Sequence, residues 1–135
     1  MAKFAANLSM MFTEVPFIQR FERAANAGFK GVEYLFPYEE DADVIAGELS
    51  KHHLTQALFN MPAGNWAQGE RGMASIPGRE KEFAEGVQTA LKYAKALGCK
   101  QVHAMAGKVN ENYTLEQQTA CYIKNIQYAA DVMAE

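Results

Sequence analysis

The sequence predicts an α/β protein in which a strand and a helix alternate four times, the pattern of a parallel sheet with crossover helices. Three observations predict it. Four short, largely apolar segments, Lys3–Ser9, Gly31–Phe36, Thr55–Asn60 and Gln101–Ala106, have the length of buried strands. Each is followed by a stretch with apolar residues at helical spacing. Gly28, Pro37, Pro62 and Gly98 punctuate the alternation.

The first strand carries Phe4, Ala6 and Leu8 on one side. Pro16 suits a first helical turn, Phe17, Phe21, Ala24 and Ala25 form the inward stripe, and Gly28 ends that helix. The second strand stops at Pro37, and Asp41 caps a helix with Val44, Ile45 and Leu49 inward. The third strand ends at Met61-Pro62. Helical spacing then runs from Arg79 to Leu97 through Phe83, Val87, Ala90, Leu91 and Ala94. After the fourth strand, Thr114 and Gln117 form a capping-box pattern. Tyr122, Ile123, Ile126, Ala129, Ala130 and Met133 carry the last helix.

A weak repeat lies within this order. Ala27-Gly28-Phe29-Lys30-Gly31-Val32-Glu33 aligns with Leu97-Gly98-Cys99-Lys100-Gln101-Val102-His103 and shares Gly, Lys and Val. Two βα units produce such an offset, and so does any pair of helix-to-strand turns. Two architectures fit: an open flavodoxin-like sheet, or half of a (βα)8 barrel, whose full length is about 250 residues. Both place function at the C-terminal ends of the strands.

Composition narrows the function classes. The chain has 135 residues, 49% hydrophobic and 21% charged, which is globular rather than disordered. Thirteen basic against 16 acidic residues leave a net charge of −3, without the basic footprint that nucleic acid requires or an anionic membrane attracts. No apolar run approaches the roughly 20 residues of a membrane span. The N-terminus has no secretory pattern, and Cys99 and Cys121 read as small buried thiols, so the expected location is the cytoplasm.

The strand ends present Asn7, Ser9, Glu33, Asn60, His103 and Lys108. Glu33 sits in an apolar strand, where a carboxylate is either used or held by a neighbouring Arg or Lys. His103 is either a catalytic imidazole or a hydrogen-bonded core histidine. His52 and His53 lie about 100° apart on a helix, cannot share a metal from one face, and read as surface residues. The strongest local signal is the loop from Pro62 to Gly78, with four glycines, two prolines and the only tryptophan, Trp66. Within it, Arg71 suits a two-point bond to a carboxylate and Trp66 closes over an apolar edge. The alternative is that Glu70 and Arg71 only brace the loop. No phosphate loop, dinucleotide fingerprint, HExxH or nucleophile elbow is present.

Several motifs together resemble one family. They are Asn7-Leu8-Ser9-Met10, Gly28-Phe29-Lys30-Gly31-Val32-Glu33, Phe36-Pro37-Tyr38, Asn60-Met61-Pro62-Ala63-Gly64-Asn65-Trp66, Gly69-Glu70-Arg71-Gly72, Ile76-Pro77-Gly78-Arg79 and Ala106-Gly107-Lys108. In this order they resemble the hydroxypyruvate isomerases and 2-oxo-tetronate isomerases, within the xylose-isomerase-like TIM barrels. The resemblance implies that residues 1–135 form a single unit, the N-terminal (βα)4 half of a TIM (β/α)8 barrel. It also implies isomerisation of a hydroxy-2-oxo acid through an enediolate, with a divalent metal, Mg or Mn, and two glutamates moving the proton.

The family's metal ligands and catalytic glutamates belong to strands five to eight, beyond Glu135, so no catalytic or metal residue is expected in this chain. The resemblance carries over Asn7, Glu33, Asn60, Trp66, Glu70, Arg71, His103 and Lys108 as substrate-binding candidates, with Arg71 and Lys108 on the 2-oxo acid's carboxylate. A half barrel has open edges and is expected to need the missing C-terminal half or a second copy, and to be inactive alone. The competing expectations are a self-assembling half-barrel without metal affinity and a complete small flavodoxin-like binding domain.

Overall fold

The computed structural model describes residues 1–135. The elements are β1 (Ala5–Asn7), a 3-10 turn (Phe17–Gln19), α1 (Arg20–Asn26), β2 (Gly31–Glu33), α2 (Ala42–Lys51), β3 (Thr55–Asn60), a second 3-10 turn (Trp66–Gln68), α3 (Glu80–Leu97), β4 (Val102–His103) and α4 (Leu115–Met133). The strand order is β1-β2-β3-β4, with β1 parallel to β2 and β2 parallel to β3. That order separates the two architectures. A doubly wound sheet reverses direction at a switch point, whereas a barrel lays each new strand beside the last. This sheet follows the barrel order.

The chain forms two compact units, Met1–Phe59 with Lys92–Val102 and Asn60–Leu91 with His103–Glu135. In the first, Ala6, Leu8, Phe21, Val32, Ile45 and Phe59 are fully buried. Phe17, Phe21 and Tyr34 pack edge to face, and Tyr38 meets Phe59 and Tyr93 the same way. Burial pushes the Tyr34 and Tyr38 phenols well above their ordinary range. Asp41 caps α2 by accepting from the Asp43 N–H at 2.8 Å.

Three strands are shorter than their apolar runs, and the hydrogen bonds show why. β1 starts at Ala5, opposite Gly31, where β2 begins, so Phe4 has no strand partner and is 75% exposed rather than inward. β2 stops at Glu33, and the Leu35 N–H turns to the Ser9 hydroxyl at 2.8 Å. β4 stops at His103, and the Met105 and Ala106 carbonyls accept from the N–H groups of Ala74 and Ser75. In α2 the inward stripe is Ala42, Ile45 and Leu49, which turns Val44 aside at 48% exposed. His52 is half-buried, not a surface residue, with Nε2 3.2 Å from Glu48 Oε2 one turn earlier. His53 is exposed.

In the second unit, Thr114 and Gln117 form the full capping box of α4. The buried stripe of this helix is Gln118, Cys121, Asn125 and Ala129, so of the spaced apolar residues that carry it Ala129 alone is fully buried. Ile123 is 51% exposed and Ala130 is exposed. Polar bonds explain this orientation. Gln118 donates to the Lys108 carbonyl at 3.1 Å and accepts from the Asn110 N–H at 3.0 Å, and Asn125 donates to the Ala74 carbonyl at 2.9 Å. Cys99 and Cys121 are buried and unbridged, and burial raises both thiols above their ordinary range. No helix is long and apolar enough to cross a membrane.

Candidate functional site

Asn7 and Glu33 are partners in register at the ends of β1 and β2. The Asn7 side-chain Oδ1 accepts from the Ser9 N–H at 3.0 Å, which turns its Nδ2 to donate to Glu33 Oε1 at 3.3 Å. An amide, not an Arg or Lys, therefore holds this half-buried carboxylate.

Asn60 and His103 end β3 and β4. Asn60 Oδ1 lies 3.1 Å from His103 Nδ1, and the Met61 N–H donates to the His103 carbonyl at 2.9 Å. His103 is exposed, so the buried core histidine considered for this position is not what the fold builds.

The long loop after β3 is a packed structure rather than a slack connection. Met61, Ala63, Met73, Ala74 and Ser75 are buried. Asn65 caps the 3-10 turn by accepting from the Gln68 N–H, and Gly69 closes that turn with positive φ. The Glu70 carboxylate folds back under the turn: Oε2 accepts from the Asn65 N–H and Oε1 from Arg79 at 2.7 Å. It occupies the space that a Cβ on Gly64 would need. The Arg79 hydrogen bond, followed by that from Asn65, holds the Glu70 carboxyl below its ordinary value. Arg79 also forks onto both oxygens of Glu82 at 2.9 Å, and these two carboxylates push its guanidinium further up.

Gly72 fixes the loop to the segment after β4. With φ +110°, it bridges antiparallel to Ala106, and an added Cβ would lie 2.2 Å from the Met105 carbonyl oxygen. Arg71 and Lys108 thus come to line one cleft of about 370 Å³, with Gln68, Arg79, Asn110 and Glu111. Arg71 lies flat on the Trp66 ring, 3.8 Å from its centroid. Its Nη1 donates to the carbonyls of Trp66 and Glu70 at 3.1 and 2.7 Å. The other guanidinium nitrogens carry no bond within the chain, and the exposed Lys108 ammonium makes no ion pair.

Of the eight residues singled out in the sequence, Glu70, Arg71 and Lys108 line this cleft and Trp66 supports Arg71, while Asn7 bonds to Glu33 and Asn60 to His103. Glu70 takes the bracing role, since both its oxygens are engaged by the loop. Arg79 entered the sequence reading as the start of a helix and the end of the Ile76-Pro77-Gly78-Arg79 motif, not as a partner of Glu70. Its position just after Pro77-Gly78 is the signal that it closes the loop. The chain gathers no group of three His, Cys, Asp or Glu side chains able to hold a metal ion. Its residues therefore do not fit a metal centre of their own.

A family model described as the xylose isomerase-like TIM barrel matches residues 21–135. The chain is 47% identical over 133 residues to hydroxypyruvate isomerase of Escherichia coli (strain K12), covering 98% of this chain and 52% of that one. It is 51% identical over 131 residues to 2-oxo-tetronate isomerase of Haemophilus influenzae, covering 97% and 51%. A crystal structure described as AP endonuclease, family 2 from Brucella melitensis superposes with a TM-score of 0.96 at 59% identity, over 99% of this chain and 52% of that one. The chain spans about half the length of the curated relatives it matches.

Proposed function

Because the chain belongs to the xylose isomerase-like TIM barrel family, we propose that it is part of an isomerase of small hydroxy-2-oxo acids and supplies the hold on the substrate's carboxylate. In the conversion of hydroxypyruvate to tartronate semialdehyde, a proton leaves C3, an enediolate spans C2 and C3, and a proton returns to C2. The carbonyl and hydroxyl exchange places while the carboxylate stays anionic throughout. A constant anion is the natural handle for a cation.

The observation that carries this reading is Arg71, stacked on Trp66, pinned by two carbonyls, and lining the same cleft as the unpaired Lys108. A guanidinium held in one plane meets a carboxylate at two points, and an ammonium adds a mobile charge. Glu70 and Arg79 keep the loop in shape, so the cationic group is ordered before substrate arrives. Asn7 with Glu33, and Asn60 with His103, serve as hydrogen-bonded pairs rather than as the proton shuttle. The proton-moving glutamates, and the Mg or Mn of the complete enzyme, belong to sequence equivalent to the relatives' other half. No step is routed through a metal here.

The four-carbon 2-oxo-tetronate is the second reading. It presents the same carboxylate, and relatives of both names match at similar identity. Nucleic acid is not the proposed ligand, because a net charge of −3 lacks the basic surface that a phosphate backbone requires.

The single tryptophan makes the test direct. The Trp66 indole N–H gives one cross-peak in a ¹H–¹⁵N spectrum of the chain. Hydroxypyruvate and 2-oxo-tetronate are expected to shift it saturably, and glyceraldehyde, which lacks the carboxylate, is not. No shift with either acid, or an equal shift with glyceraldehyde, overturns the proposal.

A further inference from the structure

We infer, resting on the carboxylate-holding role proposed for Lys108, that Gln118 is a positioning residue for that ammonium. Gln118 does not line the cleft, yet its amide fixes the backbone from which Lys108 reaches into it. A lysine meets its ligand through a flexible stem, so the place where the stem starts decides what the charge can touch. That place has no regular element of its own. β4 ends at His103 and α4 begins only at Leu115.

Gln118 supplies the hold. It lies in the first turn of α4 and is buried, on the inward stripe that an amphipathic helix ordinarily fills with apolar residues. A buried amide is costly unless its donors and its acceptor are met. Here they are met by backbone that builds the cleft. Nε2 donates to the Lys108 carbonyl at 3.1 Å, and to the Ser75 carbonyl and hydroxyl at 3.4 and 3.3 Å. Oε1 accepts from the Asn110 N–H at 3.0 Å. One amide therefore grips the chain on both sides of Val109, whose own side chain is exposed.

The same amide ties this segment to the loop after β3. Ser75, which accepts from Gln118, also donates its N–H to the Ala106 carbonyl at 2.7 Å. Between these anchors Gly107 has φ +106°, and a Cβ there would lie 2.9 Å from the carbonyl oxygen of Gly72, the residue after Arg71. Lys108 is thus fixed on both sides and by its own carbonyl. Asn125 provides the contrast. It is buried on the same stripe and donates to the Ala74 carbonyl at 2.9 Å, but it bonds to no residue of the cleft.

The experiment is a double-mutant cycle. Affinity for hydroxypyruvate is read from the Trp66 cross-peak in the wild-type chain, in Gln118→Met, in Lys108→Met and in the double variant. Gln118→Met is expected to weaken binding about fivefold and Lys108→Met about tenfold. Arg71 is intact in Lys108→Met, and titration to high ligand concentration reads the weakened affinity. Beside Lys108→Met the effect of Gln118→Met is expected to vanish, because a residue that acts through Lys108 then has nothing to act on. Asn125→Ala is expected to lower the melting temperature and leave affinity within about twofold. Gln118→Glu, which keeps the acceptor for Asn110, takes the place of Gln118→Met if circular dichroism shows that variant unfolded. Three outcomes overturn the inference: unchanged affinity in a folded Gln118 variant, an undiminished loss beside Lys108→Met, or an equal loss in Asn125→Ala. In all three the wild-type chain still binds, so the functional proposal stands. A wild-type chain that binds no hydroxypyruvate removes that proposal and this inference together.

Discussion

The carboxylate of Glu70 and the guanidinium of Arg79 meet at 2.7 Å and close the loop that carries Trp66 and Arg71. The native carboxyl is held below its ordinary value of 4.5. The stability this pair adds is complete above that value and drains away as pH falls through the lowered native one. Glu70→Gln is expected to cost about 1 kcal/mol at neutral pH, the order for a partly exposed charge-assisted bond. It should also flatten the loss of melting temperature on acidification, measured by circular dichroism from pH 7 to pH 3.

Gly72→Ala is expected to be far more damaging. The new Cβ meets the Met105 carbonyl at 2.2 Å, and φ +110° is a conformation that alanine adopts only under strain. A loss of about 2–3 kcal/mol is expected in urea unfolding. Amide exchange at Ala74 and Ser75, whose N–H groups bond to the segment after β4, should accelerate with it.

Arg71→Lys keeps the charge and removes the plane. The ammonium neither stacks on Trp66 nor offers two parallel donors, so affinity for hydroxypyruvate should fall at least tenfold, about 1.4 kcal/mol, with little change in melting temperature. Calorimetric titration of both forms measures it.

Asn125→Ala tests the polar seat of α4. It removes the 2.9 Å bond to the buried Ala74 carbonyl, whose remaining partner is the weak Cys121 thiol at 3.7 Å. A loss of about 1–3 kcal/mol is expected in thermal unfolding.

Turnover is the last test. Supplied with Mg²⁺ or Mn²⁺, the purified chain alone is expected to convert no hydroxypyruvate, since its residues gather no metal-ligating group. Appreciable conversion, followed by chromatography of the product, would show that these residues complete a centre by themselves.

Periodicity located every helix, and Asp41 and Thr114 announced two of the starts, because caps are local chemistry written in adjacent residues. β3 matched its apolar run from end to end. The ends of β2 and β4 were not legible, since they depend on Ser9 and on residues 74 and 75 capturing backbone groups from far along the chain. The inward face of α4 was not legible for a related reason. Hydrophobicity ranks side chains by their cost in water, and Gln118 and Asn125 are buried by hydrogen bonds that pattern reading does not see. At the site, Arg71 and Trp66 stood out by residue type, whereas the bracing role of Glu70 required the partner nine residues away.

The close approach of Gly72 to Met105 has a further consequence. A contact that tolerates no side chain leaves the loop no sliding freedom at that point, so it works as a datum from which the rest of the loop is measured. Residues on either side can be exchanged to alter size, polarity or charge while the spacing between Arg71 and Lys108 stays as it is. On the proposed carboxylate-holding reading, the cleft wall can therefore be retuned by altering what is displayed rather than where.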